Sequence, residues 1–432
     1  MGDPLNSVFG VTRLNGKPTD VLPSWLDNTA DAGILVLDFQ LQQWWLDTAG
    51  KLPLTAIYCL ENDKLLCAVT DQTIAMPVSV PHGDFRKWAA HHELAVFAHD
   101  QPLGLQATYI AKPWGQEVWF TGVEERGVCC FTDGQNSSPI PWVQAIMPNN
   151  LAGATGTPLV LLKILDPAPE EVTGDLYFEL HQEKREVYVV THVDRQAWPD
   201  GKGGIRYGFD PQRLAEAGTD EGFKQSYLAA VREYESVRRE IDDLPAGTGI
   251  QESLLQRELL LRQAMNDFTY MRPLAVGDVV VVPLLMPHSL QHGVRTIEFQ
   301  TPVYERQILS FAQKVLTQNH WDTDTAVKEM RLTPPAQKSF ALLQDDFGLK
   351  VERIVDFIDF EVCRVTISDG ASLQIDTSAC YQLLMVVTGE LPLDERILTA
   401  EQAALLPAGQ SFCLRSCDPA ESLVLLLSLP CI

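Results

Sequence analysis

The order of β-rich and helical segments is the feature that most constrains the fold of this chain of 432 residues. From about residue 107 to 195, short segments of β-forming residues alternate with turns of Gly, Pro and Asp, which predicts strands. Between 210 and 268, apolar residues recur at helical spacing among charged ones. After Pro273 the β-rich segments return. This order predicts a mainly β domain that carries a helical insertion.

The flanking sequence predicts two further parts. Residues 1–105 mix apolar, strand-like segments with helical ones, which indicates an α/β unit of unknown role. From about 345 onward, many short strand-like segments broken by turns are typical of a second barrel or sandwich. We therefore predict an α/β unit at 1–105, a β domain at 106–200 and 272–320, a helical insertion at 201–271, and a C-terminal β domain at 321–432.

The acidic balance of the chain makes some partners improbable. It has 33 Lys and Arg against 57 Asp and Glu, a formal net charge of −24. That balance disfavours general binding to nucleic acid or to an anionic membrane, both of which need clustered positive charge. No apolar run approaches the ~20 residues that span a bilayer, and the first residues lack a secretory pattern. Nine cysteines without a CxxC pair are typical of reduced thiols, so we expect a cytoplasmic protein.

Two segments carry Glu and His at spacings that suit a metal site. Glu179 and His181 lie two residues apart on a predicted strand, so both side chains leave the same face. A tight turn brings Glu186 onto the next strand, and His288 follows a run of four valines and a proline. Two carboxylates and two imidazoles suit Zn²⁺, Mn²⁺, Fe²⁺ or Ni²⁺. A solvated hairpin is the plain alternative for residues 181–186.

Both segments resemble the two-part signature of the cupin superfamily. The first part of that signature runs G-x5-H-x-H-x3-4-E, and the second runs G-x5-P-x-G-x2-H-x3-N. This chain has Gly174, which is one residue closer than the first part requires, followed by Glu179, His181 and Glu186. Gly277, Pro283, His288 and His292 lie at the offsets of the second part. The resemblance implies a cupin barrel (a double-stranded β-helix or jelly roll) with a helical insertion and a second, degenerate β-barrel domain.

A narrower resemblance, to class I mannose-6-phosphate isomerases, covers about residues 105–315. KPWGQEVWFTG at 112–122 is similar to the segment that opens the barrel of that family, and PLVLLKILD at 158–166 to its lysine-bearing strand. The family's ligand signature is Gln-x-His, a Glu in a KTEMWY-like strand and a late His. This chain has Glu179-x-His181, Glu186 in KREVYVV and His288 in MPHSLQ, with the helical insertion before the last ligand.

The resemblance implies a metal-dependent isomerase that interconverts an aldose phosphate and a ketose phosphate through an enediol. It implies one divalent metal ion, with Zn²⁺ the first choice, bound by Glu179, His181, Glu186 and His288. Lys163 would point into the barrel beside the ligands, and Arg306 would stabilise the enediolate or bind the phosphate. Glu298, eight residues before Arg306, is the candidate for proton transfer or for orienting a ligand. We expect a small sugar phosphate as substrate and a monomer or homodimer.

Each catalytic candidate has a structural alternative. Lys163 could end an edge strand in solvent, and Arg306 could pair with Glu305 or with surface acids. The chain also departs from the family, because Glu179 replaces Gln and the loop after His181 is cut to four residues. A metal cupin that acts on another small polar substrate, and a non-catalytic sugar-binding or regulatory cupin, are therefore the alternative functions.

Overall fold

The computed structural model describes residues 8–29, 32–74, 79–81, 83–245, 247–336 and 339–431. The chain packs into two compact units. Unit 1 comprises residues 1–108, 119–161 and 340–432, and unit 2 comprises 109–118 and 162–339. The predicted segments 1–105 and 321–432, which we expected to be separate, thus lie largely in the same compact unit. The separate roles of the four segments stay a prediction.

Unit 1 contains a six-stranded sheet near the start of the chain. Its strands are β1 (Val8–Asn15), β2 (Ala32–Gln42), β3 (Lys51–Glu61), β4 (Lys64–Thr70), β5 (Ser79–Pro81) and β6 (Phe97–Ala98). They lie in the order β5–β1–β2–β3–β4–β6. Helix α1 (Pro18–Asn28) joins the parallel strands β1 and β2, as parallel pairing requires a crossover. Phe85 and Ala89 of α2 (Phe85–His91) pack in one apolar core with Ile34 and Ile57 of this sheet.

A nine-stranded sheet forms the other large part of unit 1. Its strands are β7 (Leu103–Leu105), β12 (Cys130–Thr132), β13 (Ser137–Pro139), β23 (Ala341–Asp346), β24 (Leu349–Asp356), β25 (Phe360–Ile367), β27 (Gln382–Thr388), β30 (Ala403–Leu406) and β32 (Leu423–Pro430). Their order is β13–β12–β7–β30–β27–β32–β25–β24–β23. Smaller elements are helix α3 (Ile140–Ile146) and three two-stranded sheets: β10 (Val123–Glu124) with β11 (Gly127–Val128), β26 (Ser372–Asp376) with β31 (Ser411–Arg415), and β28 (Leu391–Leu393) with β29 (Arg396–Leu398).

Unit 2 is built from two sheets that share one apolar core. The six-stranded sheet contains β8 (Thr108–Lys112), β9 (Gly115–Trp119), β14 (Leu161–Pro167), β16 (Glu186–Val193), β19 (Val279–Val282) and β21 (Val294–Gln300). The five-stranded sheet contains β15 (Phe178–Leu180), β17 (Gly203–Phe209), β18 (Thr269–Leu274), β20 (His288–Leu290) and β22 (Gln307–Ser310). Val190 and Val280 of the first sheet pack in one cluster with Ile205 and Leu290 of the second. The predicted mainly β architecture is confirmed, and the second barrel stays a prediction.

Helices follow β17 and end before β18. They are α4 (Pro211–Ala217), α5 (Asp220–Asp242) and α6 (Glu252–Asn266). Thr219 caps α5 by accepting a hydrogen bond from the backbone N–H of Gly222. Along α5, Phe223, Tyr227, Val231 and Tyr234 form a buried stripe, as amphipathic spacing requires.

The helical insertion is shorter than its predicted range of 201–271. Residues 203–209 form β17 and pair with β18 and β20, so they belong to the sheet. The first residues of that range, GKGG at 201–204, end in two glycines that begin β17. One further helix, α7 (Thr323–Glu329), follows β22. None of the helices in the described chain is both long and apolar enough to cross a membrane.

Replacing Phe223 with Ala should lower the free energy of unfolding by about 3–5 kcal/mol, the usual range for a buried aromatic ring. The ring is 1% exposed and packs edge-on against Phe209 and Phe268. Leu260→Ala is the control, because that side chain on α6 is 64% exposed, and should change stability by less than about 0.5 kcal/mol. Chemical denaturation followed by circular dichroism measures both variants. Equal losses would contradict the assignment of this helix face to the core.

Candidate metal centre

Three side chains of unit 2 converge because their strands are neighbours. Strand β15 pairs with β20, and Glu179 lies directly opposite His288 in that register. His181 follows β15 immediately and faces the same side as Glu179. Among the described residues, Glu179, His181 and His288 each offer one ligand atom, and these atoms all lie within 4.8 Å of one another. We call these residues the three-ligand group.

The Nε2 atoms of His181 and His288 are available to bind a cation. His181 Nδ1 lies 2.9 Å from the carbonyl oxygen of Glu305, and His288 Nδ1 lies 3.0 Å from that of Met286. A carbonyl oxygen only accepts, so each Nδ1 donates its proton, and in the neutral form of each ring Nε2 keeps a lone pair. His181 Nε2 and Glu179 Oε2 are buried and have no hydrogen-bond partner within the described chain. These atoms fit a divalent metal ion, for which neutral imidazole and carboxylate are ordinary ligands.

The predicted fourth ligand, Glu186, lies beside both imidazoles but already has two donors. Its Oε1 is 3.4 Å from His181 Nε2 and its Oε2 is 3.1 Å from His288 Nε2. The Lys184 ammonium lies 2.7 Å from Oε1, and the Tyr188 hydroxyl donates to Oε2 over 2.6 Å. Burial would raise the pKa of Glu186, but the charge of Lys184 and the nearby imidazoles hold it well below the usual range. Glu186 is therefore ionised, and its role as a metal ligand stays a prediction.

The pKa values of His181 and His288 shift in opposite directions. Burial, followed by the charge of Lys184, lowers the pKa of His181. Burial would also lower the pKa of His288, but its hydrogen bond to Glu186 and the charge of that carboxylate raise it. His181 is thus held in the neutral form that binds metals.

Lys184 and Tyr188 are functional-site residues that the sequence analysis missed. Both are largely buried, with 8% and 3% of their surface exposed. They lie two residues before and two residues after Glu186, and side chains two apart on an extended chain share a face. That period-of-two spacing was the signal that could have identified them.

A buried row of alternating charges leads away from the three-ligand group. The Lys163 ammonium lies 3.2 Å from Glu298 Oε2 and 4.0 Å from Glu117 Oε1, and Lys112 lies 3.1 Å from Glu117 Oε2. Strand β14 lies between β21 and β9, so the alternative that Lys163 ends an edge strand in solvent is wrong. Tyr188 is the register partner of Glu298, which connects this row to the metal site.

Burial governs the titration of this row. It would lower the pKa of Lys163, but Glu298 and Glu117 raise it overall. Burial also raises the pKa of Glu298, and Lys163 offsets only part of that rise. Both oxygens of Glu298 are buried without a conventional hydrogen bond in the described chain, so this carboxylate is poised to hold a proton.

Arg306 lies near Glu179 of the three-ligand group. Its guanidinium donates to the Thr317 hydroxyl over 2.8 Å, lies 4.4 Å above the Tyr177 ring, and is 4.0 Å from Glu179 Oε2. Glu305 instead accepts from the backbone N–H groups of residues 182 and 183. The alternative that Arg306 pairs with Glu305 is therefore wrong.

His292 is not a member of the three-ligand group. Its Nδ1 lies 2.7 Å from Asp175 Oδ1, and its ring stacks on Trp198 with a centroid distance of 4.7 Å. These contacts make it a structural residue of the same unit.

Comparisons with known proteins give likenesses of structure. No family model matches the chain, and no curated protein is a significant sequence relative. Mannose 6-phosphate isomerase from Bacillus subtilis matches with a TM-score of 0.56 at 13% identity, over 76% of this chain and 99% of its own. A mutant phosphomannose isomerase from Salmonella typhimurium matches with a TM-score of 0.53 at 13% identity, over 76% and 99%. A zinc-bound mannose 6-phosphate isomerase gives 0.52 at 13% identity, over the same shares.

These likenesses show the fold. The chain shares the β architecture of mannose 6-phosphate isomerases over 76% of its length, more than the segment 105–315 that carried the resemblance in sequence. The predicted resemblance is confirmed at the level of fold. At 13% identity, placement in the family rests on the fold alone.

The Lys163–Glu298 pair should be needed for stability. At a pH above the raised pKa of Glu298, Lys163→Met leaves a buried carboxylate without its cation and should lower the free energy of unfolding by about 3–5 kcal/mol. The double variant with Glu298→Gln should recover part of that loss, because the neutral amide needs no counter-charge. Urea denaturation of the wild type, both single variants and the double variant measures the coupling. A double variant as unstable as the sum of the two single variants would show that the pair is not coupled.

Proposed function

We propose that this protein is a metal-dependent aldose–ketose isomerase of the mannose 6-phosphate/fructose 6-phosphate type. The observation that carries the proposal is the three-ligand group, with unpartnered buried acceptor atoms at His181 and Glu179. Its occurrence in a fold shared with mannose 6-phosphate isomerases supports the substrate class. A cytoplasmic location and a monomeric or homodimeric state remain predictions.

Glu179, His181 and His288 would hold one divalent ion, with Glu186 as the predicted fourth ligand. Zinc is the first choice, because the ligand types suit it and one structural neighbour is zinc-bound; Mn²⁺, Fe²⁺ and Ni²⁺ suit the same donors. When bound, the ion would stabilise negative charge that develops on a sugar oxygen.

The chain's own residues would handle the proton. Isomerisation moves a proton between C1 and C2, which requires a group that takes and returns it near neutral pH. Glu298 fits that task, because burial raises its pKa and Lys163 lies 3.2 Å away. Lys163, held in its charged form by Glu298 and Glu117, would donate a hydrogen bond to the enediolate oxygen.

Arg306 would bind the phosphate. Its planar guanidinium is suited to two parallel hydrogen bonds with phosphate oxygens. The side chain is 28% exposed, so part of it can be reached by a ligand. The Tyr177 ring beneath it fixes the plane of the group.

A metal-dependent enzyme for another small polar substrate is the second candidate. Glu179 places an extra carboxylate where the isomerase signature has Gln, and the turn after His181 has only four residues. That turn is closed by hydrogen bonds from its backbone to the Glu305 carboxylate. The extra negative charge favours a less anionic substrate, and the shorter turn changes the shape of the pocket.

Metal content and isomerase activity test the proposal together. The wild-type protein should contain about one divalent ion per chain, and His181→Ala and His288→Ala should lose it, because each removes an imidazole from the three-ligand group. His292→Ala is the matched control, because it removes an imidazole bonded to Asp175, and should keep its metal. Elemental analysis and turnover of mannose 6-phosphate are the measurements. Metal without turnover would favour the second candidate, and no metal under any loading condition would refute both.

Arg306→Met should raise KM for mannose 6-phosphate by at least about tenfold, the loss of one charge-assisted contact. Metal content should not change, because Arg306 is not a ligand. Arg295→Met is the control, because Arg295 pairs with Asp166 over 2.6 Å and should leave KM unchanged. An equal rise in KM for unphosphorylated mannose would contradict a role in phosphate binding.

A further inference from the structure

Lys184 places a positive charge inside the candidate metal centre. Its ammonium lies 2.7 Å from Glu186 Oε1, and the same oxygen lies 3.4 Å from His181 Nε2. Both Lys184 and Glu186 are buried, with 8% and 1% exposure. The ammonium therefore contacts an oxygen that also faces a metal-binding nitrogen.

A buried carboxylate needs this partner when no metal neutralises it. An ionised carboxylate without a counter-charge is very costly in a protein interior. In the described chain, the basic side chain that forms an ion pair with Glu186 is that of Lys184. Arg306 lies near a different carboxylate, 4.0 Å from Glu179. The Tyr188 hydroxyl holds the second oxygen, Oε2, over 2.6 Å. Glu186 thus has the Lys184 ammonium on one oxygen, and the neutral Tyr188 hydroxyl and the His288 imidazole on the other.

An ammonium in this position and a divalent ion on the same residues would repel one another strongly. Like charges a few ångströms apart interact by several kcal/mol at an effective dielectric of ~20. Glu186 can bind a metal ion without this repulsion only if the Lys184 ammonium leaves Oε1. The neutral Tyr188 hydroxyl has no such conflict and can keep the carboxylate oriented during the exchange.

We propose that Lys184 is a built-in counter-cation of Glu186, and that a divalent metal binds by displacing its ammonium group from that carboxylate. The inference rests on the proposed function in that it presupposes a metal at the three-ligand group. It assigns Lys184 as the residue that sets metal affinity without being a ligand. The cost of displacing it makes the metal bind more weakly than the ligands alone would allow.

Metal affinity of Lys184→Met tests this assignment. Competition with a chromophoric chelator, using Zn²⁺ and Co²⁺, should show the variant binding at least about tenfold more tightly, because the repelling charge is gone. Lys184→Arg keeps the charge and should bind within about threefold of the wild type. Lys112→Met is the matched control: it removes a half-buried lysine that pairs with Glu117 over 3.1 Å, and should leave metal affinity nearly unchanged.

Thermal unfolding gives a readout independent of affinity. After treatment with a chelator, Lys184→Met should unfold at a lower temperature than the wild type, because Glu186 has lost its counter-cation. Saturating metal should restore most of that loss, so the metal-induced rise in Tm should be larger in the variant. Should Lys184→Met fail to fold without metal, Lys184→Gln, which keeps a donor without charge, should show the same directions.

The outcomes separate this inference from the proposed function. Metal binding by the wild type with unchanged or weaker binding by Lys184→Met would overturn the counter-cation role and leave the metal site in place. Absence of metal binding in the wild type and all variants would overturn both. If Lys112→Met bound metal as much more tightly as Lys184→Met does, the gain would come from net charge alone, and the specific role of Lys184 would be overturned.

Discussion

The charge of Glu186 is the constraint on which the interior of unit 2 depends. The side chain is 1% exposed, and an ionised carboxylate at that depth must be compensated. Lys184 and Tyr188 flank it along the chain, and both imidazoles of the three-ligand group face it. One strand away, Glu298 and Lys163 repeat the arrangement. A polar interior therefore lies inside a β unit whose remaining core is apolar.

Much of this fold could be predicted from local patterns. The helical stretch between two β-rich regions appears in the structure as α4 to α6, between β17 and β18. The pattern failed at 201–204, because two glycines begin β17 and glycine weakens any strand signal. The grouping of 1–108 with 340–432 could not be predicted, because pairing between distant segments leaves no local periodicity.

The candidate site was predictable to the extent that spacing determines which face a side chain occupies. Glu179 and His181 share a face by strand alternation, and the structure confirms that they meet His288. Glu298 and Lys163 were candidates in sequence, but their pairing with one another and with Glu117 appeared only with the sheet order. The contacts of Arg306 with Thr317 and Tyr177 depend on a loop conformation that no residue pattern specifies.

The insertion of unit 2 within the sequence of unit 1 affects how the chain can be made. Strand β7 pairs with β30, where Ala403 lies opposite Leu105. During translation β7 can pair with β30 only after β30 has been synthesised, which takes roughly 15–60 s at usual elongation rates of 5–20 residues per second. Unit 2, complete at residue 339, leaves the ribosome within that interval. The nascent chain can thus assemble the three-ligand group while the nine-stranded sheet still lacks its last strands.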